Sequence, residues 1–192
     1  MFTKSLTAFT LAAALILPGQ AAAEQYKLDI DGAHAFIQFR IQHLGFSWLY
    51  GRFNKFEGQF VYDEYKPADA SVSVTIDTAS VDSNHAERDK HLRNEDFLYV
   101  DKYPQARFVS TRFEPTEEGG TLHGDLTLRG VTRQVVIDVQ HVGHGDDPWG
   151  GYRRGFQGST RFSLADFGIP KYLGPKSKEV ELILSVEGIR EE

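Results

Sequence analysis

Seven histidines and no cysteine stand among the 192 residues, so imidazole and carboxylate chemistry is open to this chain and thiol chemistry is closed. Glu87 and His91 lie four apart in a stretch that reads as helix, a spacing that can offer two ligands to one metal ion. A surface pair is the commoner use of that spacing, and no recognised His ligand pair accompanies it, so no metal is expected. His141 and His144 sit in a Gly-containing loop and read as solvated. His34 and His43 begin and end a long strand pattern, and His43 falls on its apolar phase, which reads as a buried, hydrogen-bonded imidazole. Asp82, Glu87 and Asp89 could be imagined as a general acid–base pair, but in the run Glu87-Arg-Asp-Lys-His, where charge alternates in sign, they read as a solvent-facing helix. No Gly-x-Ser-x-Gly elbow, phosphate-cradling glycine loop or dinucleotide fingerprint occurs. The expectation is a protein that is not an enzyme and needs no cofactor. His43 would be the candidate general base if that expectation fails.

The elements that must position these side chains are mostly strands. Apolar residues alternate with polar ones over Ala35–Gln42, Val72–Ile76, Leu122–Leu128, Val135–Val139, Phe156–Leu164 and Val180–Val186, the period-2 pattern of strands with one buried face. Residues 48–62 form a longer run whose inward phase (Gly51, Phe53, then Phe56, Gly58, Phe60) continues only if one residue is inserted near Asn54-Lys55, as a bulge. Arg129-Gly130 makes a tight link, and Gly143–Gly151 and Gly168–Lys176 read as long loops. Asn84-His-Ala-Glu87 resembles a capping box, and 84–98 should hold one short helix. About eight strands that each bury one face predict an all-β fold, an antiparallel barrel or sandwich; closure into a barrel also removes exposed edges. The inward phase mixes large aromatics with glycine, which leaves a filled core and a hollow one equally open.

If the barrel is hollow, its lumen would be lined by inward-phase residues: Ile37, Phe39, Ile41, Phe53, Phe56, Phe60, Phe108, Leu126, Leu128, Phe156 and Phe162. His43 would sit at the end of this set, and Trp48 either at a mouth or packed on an edge. Burying one apolar carbon yields about 0.8 kcal/mol gross, so the shape of such a pocket, rather than the length of a ligand, would decide what binds.

The first residues address the compartment. Lys4, the apolar run Leu6–Leu17, Pro18-Gly19 and Ala21-Ala22-Ala23 have the order of a cleaved signal peptide. The expected products are a leader over 1–23, cut after Ala23, and a single periplasmic domain over 24–192. No Cys follows the cut, no stretch after it is apolar for the length of a membrane span, and the net charge of −6 argues against nucleic acid as a partner.

Several blocks of the sequence resemble the YceI family of periplasmic proteins. They are His43-Leu44-Gly45-Phe46-Ser47 leading into Gly51-x-Phe53-x-x-Phe56-x-Gly58, then His91-Leu92-Arg93-Asn94-x-x-Phe97, Tyr103-Pro104-x-Ala106-x-Phe108-x-Ser110, Gly124-Asp125-Leu126-Thr127-Leu128-x-Gly130-Val131-Thr132 and Asp166-Phe167-Gly168-Ile169. The run Asn84–Leu92 and the loop Gly145–Gly151 look like the enterobacterial branch. One position departs: many members have Arg two residues before the Asp of the last block, where this chain has Leu164. The resemblance implies a lipocalin-like barrel of about eight strands whose interior takes a polyisoprenoid chain or isoprenoid quinone. It allows a homodimer. It also leaves two alternatives: an enzyme acting on such a lipid, or a stress-response accessory that meets a membrane partner through loop 143–151.

Overall fold

The computed structural model describes residues 23–169 and 174–192. The expected leader therefore lies outside the described residues, apart from Ala23, as does the middle of the 168–176 loop. Eleven strands form one antiparallel sheet: β1 (Glu24–Leu28), β2 (Phe36–His43), β3 (Ser47–Phe53), β4 (Phe56–Tyr62), β5 (Ser71–Asp77), β6 (Val81–Asp82), β7 (Gln105–Pro115), β8 (Gly119–Leu128), β9 (Val131–Asp146), β10 (Tyr152–Ser163) and β11 (Glu179–Arg190). Among the described residues no helix is long and apolar enough to cross a membrane.

These strands occupy eight staves of a closed barrel. β11 pairs along its first half with β2 (Val180 with Ile41) and along its second with β1 (Leu28 with Gly188), so β1 and β2 are one stave interrupted by residues 29–35. β3 and β4 form the next stave, pairing with β2 and β1 respectively. They part at Asn54-Lys55, where the sequence required an extra residue to keep Phe53 and Phe56 on one face. β5 and β6 make the third stave. β7 to β11 complete a meander in which every neighbour in space is a neighbour in sequence, and β11 closes it on the first stave.

Local chemistry explains the joints. Arg129 (φ 52°) and Gly130 (φ 73°) both take left-handed backbone, the two-residue turn whose twist matches that of the strands it joins. The helix α1 (Ala86–Arg93) lies within the expected window but starts one residue later than a cap at Asn84 would set. His85 is the N-cap, its Nδ1 accepting from Arg88 N at 3.2 Å, while Asn84 turns left-handed (φ 60°) and donates its N–H to Asp82 Oδ1. The expected loop over 143–151 is shorter than its glycines suggest: β9 runs to Asp146 and β10 resumes at Tyr152. Asp147 makes the turn, its Oδ1 accepting from the N–H groups of Trp149 and Gly151.

Candidate functional site

The barrel is hollow. Two cavities lie end to end along its axis, an upper one of about 160 Å³ and a lower one of about 150 Å³, with almost wholly apolar walls. Ile37, Ile76, Leu126 and Leu182 border both and form a waist between them. Walls of hydrocarbon offer a water inside few hydrogen-bond partners.

The inward-phase residues fall on these walls. Phe56, Phe60, Phe108 and Phe156 face the upper chamber; Phe39, Ile41, Phe53, Leu128 and Phe162 face the lower; Ile37 and Leu126 face both. The inward glycines serve two ends. A Cβ at Gly51 would come within 2.2 Å of the Phe39 ring, one at Gly124 within 2.3 Å of Phe108, and one at Gly188 within 2.4 Å of Phe60. Each of these glycines is the seat of an aromatic ring laid flat on the sheet. Gly158 instead opens on the upper chamber.

Two sequence expectations are corrected. His43 is exposed, not buried: β11 pairs with β2 only as far as Ile41, so the β2–β3 hairpin projects past the barrel rim and its inward phase meets water. Trp48 is not at a mouth. It pairs with Gln42 on the outer face, and the Arg40 guanidinium lies 4.5 Å from its ring centroid. The helix run also differs from a plain solvent face, since Arg88, His91 and Leu92 border the lower chamber while Glu87 and Lys90 are exposed. His91 approaches Asp96 (3.4 Å) rather than sharing a ligand position with Glu87.

The upper chamber ends in a layer of rings. Tyr26 stacks on Phe60 at 4.8 Å, Phe60 meets Phe156 edge-on at 5.5 Å, and Tyr62 tilts onto Phe156. Behind this layer lies Arg154, only 2 % exposed, with its guanidinium 4.5 Å from the Tyr62 centroid. It ion-pairs with Glu64, donates to Tyr26 Oη at 3.3 Å and meets His141 at 3.4 Å. Burial and donation of its hydroxyl to Glu24 push Tyr26 up to about 12. Burial, with the Arg154 cation beside it, holds His141 below the ordinary histidine value. Sequence reading passed over Arg154, yet its parity is that of Phe156 and Gly158, and a charged residue on the inward phase of a strand was the available signal.

On the outer wall, Arg153 gathers three carboxylates: Asp29 (2.6 Å), Asp147 (2.6 Å) and Glu187 (2.5 Å). Asp29, His34 and Glu187 could present their ligand atoms to one cation, but the Arg153 guanidinium already lies against two of the three. Burial raises Asp29, and hydrogen bonds from His34, Arg153 and the Gly32 N–H outweigh it and bring its carboxyl down to about 2.

A closed meander with a hollow apolar axis is a known architecture, and the YceI-like domain model matches residues 28–188. The chain belongs to the YceI-like family. Among its relatives, the UPF0312 protein of Pseudomonas aeruginosa is 58 % identical over 191 residues, with all of both chains covered. That of Yersinia enterocolitica is 55 % identical over 190 residues, covering 99 % of each. A Campylobacter jejuni YceI protein superposes with a TM-score of 0.71 at 28 % identity, over 79 % of this chain and 91 % of that one. A polyisoprenoid binding domain from Saccharophagus degradans shares the fold at 16 % identity, with a TM-score of 0.62 over 86 % of this chain and 98 % of that one. The same YceI-like barrel thus recurs across sequences that keep few side chains in common.

Proposed function

We propose that this protein is a non-enzymatic binding protein of the periplasm that holds a lipid with an isoprenoid tail, a polyprenyl chain or an isoprenoid quinone, along the barrel axis. The observation that carries the reading is the pair of apolar chambers meeting at Ile37, Ile76, Leu126 and Leu182. Two voids in line suit a flexible chain better than a compact ligand. Empty, they weaken the fold by about 24 cal/mol per Å³, or about 4 kcal/mol for the upper chamber, and a branched hydrocarbon filling them restores those contacts. The polyisoprenoid binding domain of Saccharophagus degradans, built on the same fold, supports the ligand class. The leader-like first 23 residues support the compartment.

Native mass spectrometry of protein purified from the periplasm of its own host, followed by organic extraction, tests the proposal. A stoichiometric isoprenoid lipid is expected. Protein that comes out empty and takes up no added polyprenyl lipid would sink it, and cytoplasmic protein that retains its first 23 residues would remove the periplasmic part.

A further inference from the structure

The β2–β3 hairpin runs past the barrel rim and ends in side chains ill suited to water. His43 pairs with Ser47, and the loop between them, Leu44-Gly45-Phe46, leaves Leu44 50 % and Phe46 86 % exposed. Leu44 also holds left-handed backbone (φ 55°), where asparagine or glycine would sit with less strain. One step up the ladder Trp48, paired with Gln42, is 39 % exposed on the outer face, and further back Tyr50 is 54 % exposed. An apolar tip with amphipathic rings behind it is the order in which side chains settle at a membrane–water interface.

Charge points the same way. The chain carries −6 overall, yet no Asp or Glu occurs from Phe36 to Phe56. The turn Gly174–Lys178, equally free of carboxylates, is tied to the hairpin: Ser177 Oγ donates to Gln42 O, and a Cβ on Gly45 would come within 3.3 Å of Lys176 Cγ. Lys176 and Lys178 are both exposed there. The carboxylates that follow, Glu179 and Glu181, stand on β11 behind the turn, and Glu181 is held by Arg40 and Arg161. Charges more than about 8 Å apart are largely screened at physiological salt, so the lysines next to the tip count for more than the total. The root of the hairpin is itself chamber wall, because the cross-strand pair Ile41 and Leu49 borders the lower chamber.

We propose that the Leu44–Phe46 tip docks this protein on a bilayer that contains anionic phospholipid, with the lower end of the barrel turned toward the membrane. The two apolar side chains enter the interface, Trp48 and Tyr50 lie at headgroup level, and Lys176 and Lys178 meet the phosphates. The docking goes beyond the lipid-binding reading and does not depend on what the chambers hold.

Cosedimentation of the full chain with vesicles of phosphatidylethanolamine and phosphatidylglycerol, against phosphatidylcholine alone, tests it. The wild type should bind the anionic vesicles more tightly and lose binding as salt rises. Phe46→Ser should weaken binding about tenfold, the factor expected when one phenyl ring no longer leaves water. Leu44→Asn should weaken it too, at an unchanged or higher Tm, since asparagine suits the left-handed turn. Lys176→Gln should flatten the salt dependence. Trp149→Ser should change nothing: that ring is 77 % exposed, but in the turn between β9 and β10 at the opposite end of the barrel. All these proteins share one N-terminus, so the leader-like residues cannot produce the differences. A wild type that ignores vesicles, or Phe46→Ser and Leu44→Asn proteins that bind as it does, overturns the docking. So does a tip that pairs two copies of the chain instead, seen in sedimentation equilibrium as a dimer that Phe46→Ser dissociates while no vesicle is bound. Uptake of polyprenyl lipid is read separately, and its failure strikes the lipid-binding reading alone.

Discussion

Gly124 offers a direct test of why glycines stand on the inner face. Its backbone is not left-handed, so alanine there meets no conformational penalty and any cost must be steric. The new Cβ would lie 2.3 Å from Phe108 Cζ, 2.5 Å from Cε2 and 2.7 Å from the carbonyl oxygen of Val109. The ring can swing away into the upper chamber; the carbonyl is part of the β7–β8 ladder and cannot. Overpacking of this kind costs about 1–3 kcal/mol, which in a domain of this size lowers Tm by roughly 2–4 °C per kcal/mol. Phe108→Leu alone removes a buried ring and should cost about 1 kcal/mol. In the double variant the clash with the ring is gone, so the two costs should fall short of additivity by about 1 kcal/mol, above the few tenths expected of independent sites. Urea unfolding of the four proteins measures the cycle. A neutral Gly124→Ala, or costs that add, would refute the view that these glycines are seats for rings. The single variant should also weaken lipid uptake, because the displaced ring occupies the chamber.

Three further outcomes follow from the geometry. Asp29, held at about 2 in the folded chain, stabilises the fold above its unfolded value near 4, and that contribution, of order 1–2 kcal/mol, should vanish as pH falls from about 4 to about 2; Asp29→Asn should flatten the stability–pH curve in that window. His141 should titrate below an ordinary histidine by NMR, and Glu64→Gln, which removes the carboxylate that raises it, should lower it further. Leu182→Trp, at the waist, should block long polyprenyl chains while a ligand that fits one chamber still binds; equal loss or equal retention of both would show that the chambers are not used in series.

Much of this fold was readable from parity. The alternation around Phe39, Val74, Leu126, Ile137, Phe156 and Leu184 told strand from loop and inside from outside, because a half-buried sheet leaves no other period. Parity says nothing of where a barrel stops. His43 keeps the phase of Ile41 but lies beyond the last residue of β2 paired to β11, so the same pattern that buries one exposes the other. The short β1 was hidden, as Tyr26 and Leu28 are too few to establish a rhythm. Gly143 and Gly145 disguised the end of β9 as loop, although both sit in register with β10. Whether the inside is hollow was not legible at all: the same alternation of Phe and Gly describes a glycine that seats a ring and a glycine that borders the chamber beside Ile137 and Leu184, and only the three-dimensional pairing separates Gly124 from Gly158.

The double engagement of β11 bears on how the chain comes to be folded. Its 12 residues pair with β10 on one side and with both β2 and β1 on the other, and Glu191 N donates to Gln25 O across the join. A polypeptide that emerges from its N-terminus onward therefore has seven of its eight staves available while the cylinder is still an open, curling sheet with two raw edges. Nothing can be enclosed until the final segment arrives, and contacts between residues so far apart in sequence are slow to find one another. A nascent chain would need shielding over that interval. Truncation within the last dozen residues should leave a sticky, half-rolled sheet. A circular permutant joined at this seam and cut in the turn at 116–118 would move the vulnerable edges elsewhere while keeping every stave.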